Sequence, residues 1–307
     1  MDSNPWTGAF QPRRALGRTG FAATRLGIGD LADRSLPLAV CAATARRALE
    51  AGLNVIDTAP GYEHGFSEEI LGAALRGRRA GVFVIDKVDQ LHEPVAPQVA
   101  ASLQRLKLPW ADLFVFHGVS TLDDWSRLRA PGGGMDQLAE CVRAGQVRYR
   151  GISSHHPDVL RAAILSGLCD VAMFAVGPLC DPRYISETLP LARRHQVGTV
   201  CFKTFGAGRL VADTAGYGRP PPEPAATAHP KLTPAECVRY TLACDPDVAL
   251  LGLSTPAEQD AAFEAALRCT PPDEREQHDI RRRAALAAAG QGENWWDPPG
   301  PGGGGAP

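Results

Sequence analysis

One pattern governs what this chain can fold into: a short apolar run, a polar turn and an amphipathic helix, repeated eight times. The apolar runs cover 24–28, 54–56, 82–85, 112–116, 148–152, 170–176, 199–202 and 248–253. Short runs of this kind, bounded by turn residues, read as buried strands. The helical patterns that follow them cover 38–51, 67–75, 99–106, 135–144, 157–166, 186–195, 233–242 and 256–267. Parallel strands need a long crossover, usually a helix, so the alternation predicts a parallel sheet with helices outside. Eight such units in one domain predict an α/β fold, a single (β/α)8 TIM barrel. Ahead of it, RALGRTGF (14–21) has a Gly-centred turn between extended pieces and predicts a hairpin. Behind it, 273–289 predicts an extra C-terminal helix. The barrel domain then spans 13–290, with a flexible arm at 1–12 and a Pro/Gly-rich tail at 291–307 expected to be disordered. The Pro-rich insert at 211–230 is either a loop over the barrel mouth or a solvated excursion.

Composition removes several classes of function. Apolar residues make up 44% and charged residues 21%, ordinary for a globular protein. A net charge of −2 gives no reason to expect nucleic acid or an anionic membrane as partner. No apolar run approaches the roughly 20 residues that span a bilayer, and MDSNPWTGAF lacks the layout of a signal peptide. The eight cysteines form no C-x-x-C pair, which argues against a zinc ribbon or an iron–sulfur site. Most fall in apolar segments, where cysteine packs as a small hydrophobe. A cytoplasmic protein without a metal is expected.

The chemistry lies at the strand ends, where barrels of this type carry their active sites. Asp57 ends the second predicted strand, Lys87 the third and His117 the fourth. The separations 87 − 57 and 117 − 87 are both 30 residues, one strand–helix unit each. Adjacent strands lie about 4.8 Å apart, so the three side chains can converge. Tyr62 sits just after Asp57, beyond the turn-forming Pro60 and Gly61. Ser67, followed by Glu68 and Glu69, is expected to cap the next helix. Each residue alone has a plainer reading: Asp57 as a turn former, Lys87 as a solvated rim residue, His117 as a packing residue, Tyr62 as a plug. Their joint placement at three successive strand ends favours chemistry. A phenol ionises near about 10, too high for an effective donor at neutral pH, and a nearby ammonium lowers that value. Asp57 would hold Lys87 charged and oriented, while His117 binds the substrate oxygen. Such a group fits proton donation to a carbonyl oxygen as negative charge develops there.

These residues carry a resemblance. DTAPGYEHGFSEEILGAAL (57–75) resembles the DTAxxYGxxxSE signature of the aldo-keto reductases, and Lys87 in VIDKV and His117 in DLFVFHG match that family's lysine and histidine. LGRTGFAATRLGIG resembles its hairpin and first strand, GISSHH its strand-five motif, and GTVCFKTFGAGRL the strand-seven motif of a bacterial branch. The likeness spans 13–270. It implies a nicotinamide cofactor across the barrel mouth and hydride transfer between it and a carbonyl carbon. By resemblance Tyr62 is the general acid, Lys87 its modulator, Asp57 the partner of Lys87, and His117 orients the carbonyl. Implied cofactor contacts are Gly29, Asp30, Asp57, Ser153, Ser154, Met173 and Phe202. Lys203, Thr204, Phe205, Gly206, Gly208 and Leu210 supply others after the seventh strand. Gly252, Leu253, Ser254, Thr255 and Glu258 supply the rest after the eighth.

Departures from the family pattern refine the expectation. Ser153-Ser154 stands where Ser-Asn is frequent, and Met173 where a glutamine often binds the carboxamide, so a serine is expected to do more of the fixing. Phe202 keeps a ring for the nicotinamide. Glu258 stands where many relatives place an arginine against the 2′-phosphate; a carboxylate repels that phosphate and accepts from a ribose hydroxyl. Its plainer reading is a first-turn helix acid. Lys203 and Arg209 remain as positive charge, so NADP(H) is expected narrowly ahead of NAD(H). His155 and His156 lack an evident third ligand and read as loop residues. Trp125 is expected to wall the substrate pocket with Tyr62 and His117. Trp295 and Trp296 pack on the barrel, a second copy or a ligand. The leading expectation is NAD(P)H-dependent reduction of an aldehyde or ketone, or its reverse, on a small molecule. The alternatives are a redox-sensing cofactor binder with weak turnover and an aldolase using Lys87 as a Schiff base. Asp57 opposes the last, because that chemistry needs a neutral amine.

Overall fold

Two-residue alternation along the strands sorts the side chains into two apolar shells, and that sorting aims the polar strand ends. The computed structural model describes residues 4–30, 34–212, 230–292, 294 and 296. A hairpin of β1 (Arg14–Ala15) and β2 (Ala22–Ala23) precedes the barrel. The barrel strands are β3 (Leu26–Ile28), β4 (Val55–Asp57), β5 (Phe83–Val88), β6 (Ala111–Phe116), β7 (Val147–Ser153), β8 (Val171–Ala175), β9 (Gly198–Phe202) and β10 (Val248–Leu251). They pair in parallel and in chain order, and β10 closes the ring on β3. Around them run α1 (Leu38–Glu50), α2 (Phe66–Ala74), α3 (Val95–Leu106), α4 (Leu122–Leu128), α5 (Gly134–Arg143), α6 (Pro157–Ser166), α7 (Leu189–Arg194), α8 (Pro234–Ala243) and α9 (Pro256–Arg268), followed by α10 (Glu274–Ala288). Among the described residues, no helix is long and apolar enough to cross a membrane.

Inside the barrel, Val55, Phe83, Ile85, Leu113, Val115 and Met173 share one cluster, with Leu16 at its hairpin end. Val84, Val88, Phe114 and Phe116 belong to the larger shell beneath the helices. Parity therefore points Asp57, Lys87 and His117 inward, each continuing an inward series, and turns Asp86 outward.

Local differences from the sequence reading have local causes. The arm at 1–12 is packed where it is described: Trp6 and Phe10 meet Phe263 of α9 edge-on, centroids 6.0 and 5.1 Å apart. The Phe10 N–H donates to Ala51 and the Gly8 N–H to Glu50. Ser67 is not a cap; α2 begins at Phe66 after Gly65, and Ser67 Oγ accepts from Thr58 Oγ1 at 2.8 Å. The extra helix α4 is capped by Thr121, which takes the Asp124 N–H. Most of the 211–230 insert, namely 213–229, lies outside the described residues, as do 293, 295 and 297–307 of the tail. Trp296 is described, and it is fully buried, so the tail is packed at that point.

Truncating the arm's anchor tests its packing. Phe10→Ala should cost about 3 kcal/mol, read as a lower midpoint of chemical denaturation with an unchanged slope.

Candidate active site

The inward parity of β4 and β5 puts Asp57 beside Lys87. Lys87 Nζ donates to both Asp57 carboxylate oxygens, at 2.7 and 2.8 Å, and to the Thr58 carbonyl at 2.6 Å. Three acceptors saturate an ammonium. Lys87 is 1% exposed and Asp57 4%. Burial alone would depress the lysine, but Asp57, Tyr62 and Asp86 more than offset it and its pKa is raised. Burial also lifts the Asp57 carboxyl against the pull of Lys87; with an ammonium on both its oxygens, the ion pair is the state this geometry favours. Tyr62 opens a short 3-10 turn, Tyr62–Gly65, in which Glu63 and His64 take positive φ. Its ring lies 4.5 Å from Lys87 Nζ and 5.6 Å from the His117 ring, edge to face. The four residues thus meet around one mouth.

The phenol departs from expectation. Burial pushes Tyr62 up to about 12, Lys87 pulls against it, and Asp57 and Asp30 add to the rise. Lys87 restrains the phenol but does not acidify it below its ordinary value. Tyr62 accordingly keeps its proton throughout the physiological range.

Asp89 is the site residue that the sequence reading missed. One carboxylate oxygen lies 2.6 Å from His117 Nδ1, and the other accepts the Gly61 N–H at 2.6 Å. Burial would raise this carboxyl, yet the hydrogen bonds from His117 and Gly61 hold it below the usual carboxylate range. The available signal was parity, since Asp89 follows the inward Lys87 by two residues, just past the end of β5.

The remaining implied residues divide. Gly29, next to Asp30, follows β3 and donates its N–H to the Leu251 carbonyl. Ser153 continues the inward series of β7. Ser154 is already engaged: its Oγ donates to Val119 at 2.7 Å and its N–H to Met173. Met173 is fully buried in the barrel interior. Trp125 is 2% exposed in the shell beneath the helices, because α4 turns it inward, so it does not wall the pocket. After β9, 203–210 folds into tight turns with positive φ at Lys203, Gly206, Ala207 and Gly208. Phe205 accepts the N–H groups of Gly208 and Leu210 there. The Thr204 hydroxyl on this loop is buried with no hydrogen-bond partner among the described residues. Lys203 Nζ stands 5.9 Å from the Phe202 ring. After β10, Gly252 and Leu253 lead into the cap of α9. Glu258 takes the Ser254 and Thr255 N–H groups in a capping box, at 2.7 and 3.0 Å. The plainer reading of Glu258 thus describes its contacts, and its charge still sits at that helix start.

The tail reaches this loop. His155 Nδ1 lies 3.0 Å from the Trp296 carbonyl and its ring 5.4 Å from Phe202. Burial and then Lys203 push His155 down to about 4. Arg209 donates to the Gly292 carbonyl and to Asn294 Oδ1. A cavity of about 210 Å³ lies elsewhere, at the N-terminal end of the barrel, between Arg14, Arg193 and Gln196; Asp245 and Asp247 pair its arginines.

With this geometry in view, the family model for the aldo/keto reductase family matches residues 25–266. The chain belongs to the aldo/keto reductase family. An oxidoreductase of Bacillus subtilis, YqkF, is 27% identical over 219 residues, 64% of this chain and 66% of that protein. The NADH-specific methylglyoxal reductase of Escherichia coli is 27% identical over 224 residues, 64% and 68% of the two chains. The holo form of an aldo-keto reductase from Bacillus halodurans superposes with a TM-score of 0.69 at 26% identity, over 89% of this chain and 96% of that one. Members of this family are oxidoreductases that act on small carbonyl compounds.

Alkaline titration tests the phenol. The difference in phenolate absorbance between the parent and Tyr62→Phe should show no ionisation of Tyr62 below pH 10. Lys87→Met should move it higher still, since the ammonium is the group that pulls it down.

Proposed function

We propose that this protein is an NAD(P)H-dependent reductase of aldehydes or ketones in which Tyr62 gives its proton to the carbonyl oxygen. The observation that carries the reading is the buried Lys87–Asp57 pair beneath the Tyr62 ring, with the His117 ring beside it. The neutral phenol holds the proton that the product hydroxyl needs. As negative charge grows on the oxygen, the nearby ammonium stabilises it and the forming phenolate. His117 orients the carbonyl. In the oxidative direction the same groups run in reverse, with Tyr62 accepting the proton.

The cofactor supplies or takes the hydride. Several features suit a nicotinamide dinucleotide: the unpartnered Thr204 hydroxyl in the 203–210 loop, the Lys203 and Arg209 charges, the Phe202 ring and the Ser153 hydroxyl. Lys203 and Arg209 keep NADPH ahead of NADH. Against that stands the Glu258 carboxylate, fixed at the start of α9 with the N–H groups that a phosphate would otherwise use.

A second reading, a cofactor-binding sensor with little turnover, draws on one observation. The Ser154 hydroxyl is committed to Val119, and Met173 offers no amide, so fewer polar groups hold the carboxamide. The aldolase reading loses support, because Lys87 is a saturated ammonium.

The test titrates NADPH and NADH separately, then runs a carbonyl panel with the tighter one, including methylglyoxal, for which one relative is named. Turnover should fall about 10²- to 10⁴-fold in Tyr62→Phe, with cofactor affinity kept. Unchanged turnover in that variant would remove Tyr62 from the role; tight binding with no turnover on any carbonyl would favour the sensor.

A further inference from the structure

We propose that Asp89 is a positioning residue that fixes the hydrogen of His117 on Nδ1, so that His117 can donate to a substrate oxygen only as imidazolium. This rests on the reading of the site given above and deepens it. A carboxylate only accepts, so the ring nitrogen 2.6 Å from Asp89 must carry the hydrogen. In the neutral ring, Nε2 then has a lone pair and no hydrogen. A ketone or aldehyde oxygen also only accepts, and neutral His117 has nothing to offer it. Neutral His117 instead suits the hydroxyl of an alcohol. Protonated His117 presents Nε2–H to the carbonyl, with Asp89 as its counter-ion.

A second observation shows that Asp89 is built into the loop of the acid as well. Its other oxygen takes the Gly61 N–H, one residue before Tyr62. A Cβ at Gly61 would stand 2.7 Å from that oxygen, while the Gly61 backbone is ordinary, with φ of −73°. The carboxylate alone excludes a side chain there. One residue thus spaces the two groups that face the substrate oxygen. The charged and titratable groups around His117 are Lys87 on β5, Asp89 just after it, Asp57 on β4, Tyr62 after that strand and His155 after β7.

Asp89→Asn separates the roles. The amide oxygen can still take the Gly61 N–H, while the amide N–H₂ donates to His117 Nδ1 and moves the ring hydrogen to Nε2. In nitrogen NMR of the intact, ¹⁵N-histidine-labelled protein, neutral His117 should read as Nδ1–H in the parent and Nε2–H in Asp89→Asn. In steady-state reduction of methylglyoxal, kcat/KM of the parent should fall along an alkaline limb. Asp89→Asn should flatten that limb. Gly61→Ala, which displaces the carboxylate, should change the same limb with Asp89 still present. An Nε2–H signal in the parent, or superimposable pH profiles for parent and Asp89→Asn, would overturn the proposal. The NMR arm needs no turnover, so it decides the tautomer even if the proposed reduction fails.

Discussion

A lysine that is nearly sealed from water stays ionised only if protein groups replace its hydration. Lys87 meets that demand with two oxygens from Asp57 and one from the Thr58 backbone. Desolvating the two ions costs several kcal/mol each, and removing one partner of such a pair typically costs about 3–5 kcal/mol. The pair therefore constrains its surroundings. It ties β4 to β5 at the mouth of the barrel, and it sets a fixed positive charge under the loop that carries Tyr62. Tyr62, His117 and Asp89 take their places relative to that charge.

The field of that pair acts within a balance. Burial raises the phenol more than the ammonium lowers it, so the free site stores a proton instead of shedding it. A phenol in that state keeps its proton at neutral pH. The ammonium then contributes most when negative charge appears nearby, because opposite charges in a poorly hydrated mouth attract more strongly than in water.

Much of the fold was legible, since period-two strands and period-3.6 helices leave distinct traces. The ends of α6 fell where Pro157 and Gly167 put them. The gathering of Asp57, Tyr62, Lys87 and His117 was legible because strand ends one unit apart must converge in a closed barrel. What escaped depended on tertiary facts. The direction of the Tyr62 shift follows from burial, which no motif records. Ser154 lost its free hydroxyl to Val119, a residue on another loop. Trp125 turned into the helix shell because α4 forms there, although TLDD carried a cap signal at Thr121. Asp89 sat in no motif, and only strand parity pointed to it. The arm read as loose because Trp6 and Phe10 find their partner, Phe263, some 250 residues away.

The buried Trp296 has a consequence of a different kind. Its indole lies 5.1 Å from the Arg209 guanidinium and 5.7 Å from Lys203 Nζ, and its carbonyl meets His155. Cations so near an indole alter its emission, so the Trp296 indole senses the loop after β9. Whatever rearranges those two cations is written into the light the protein gives back.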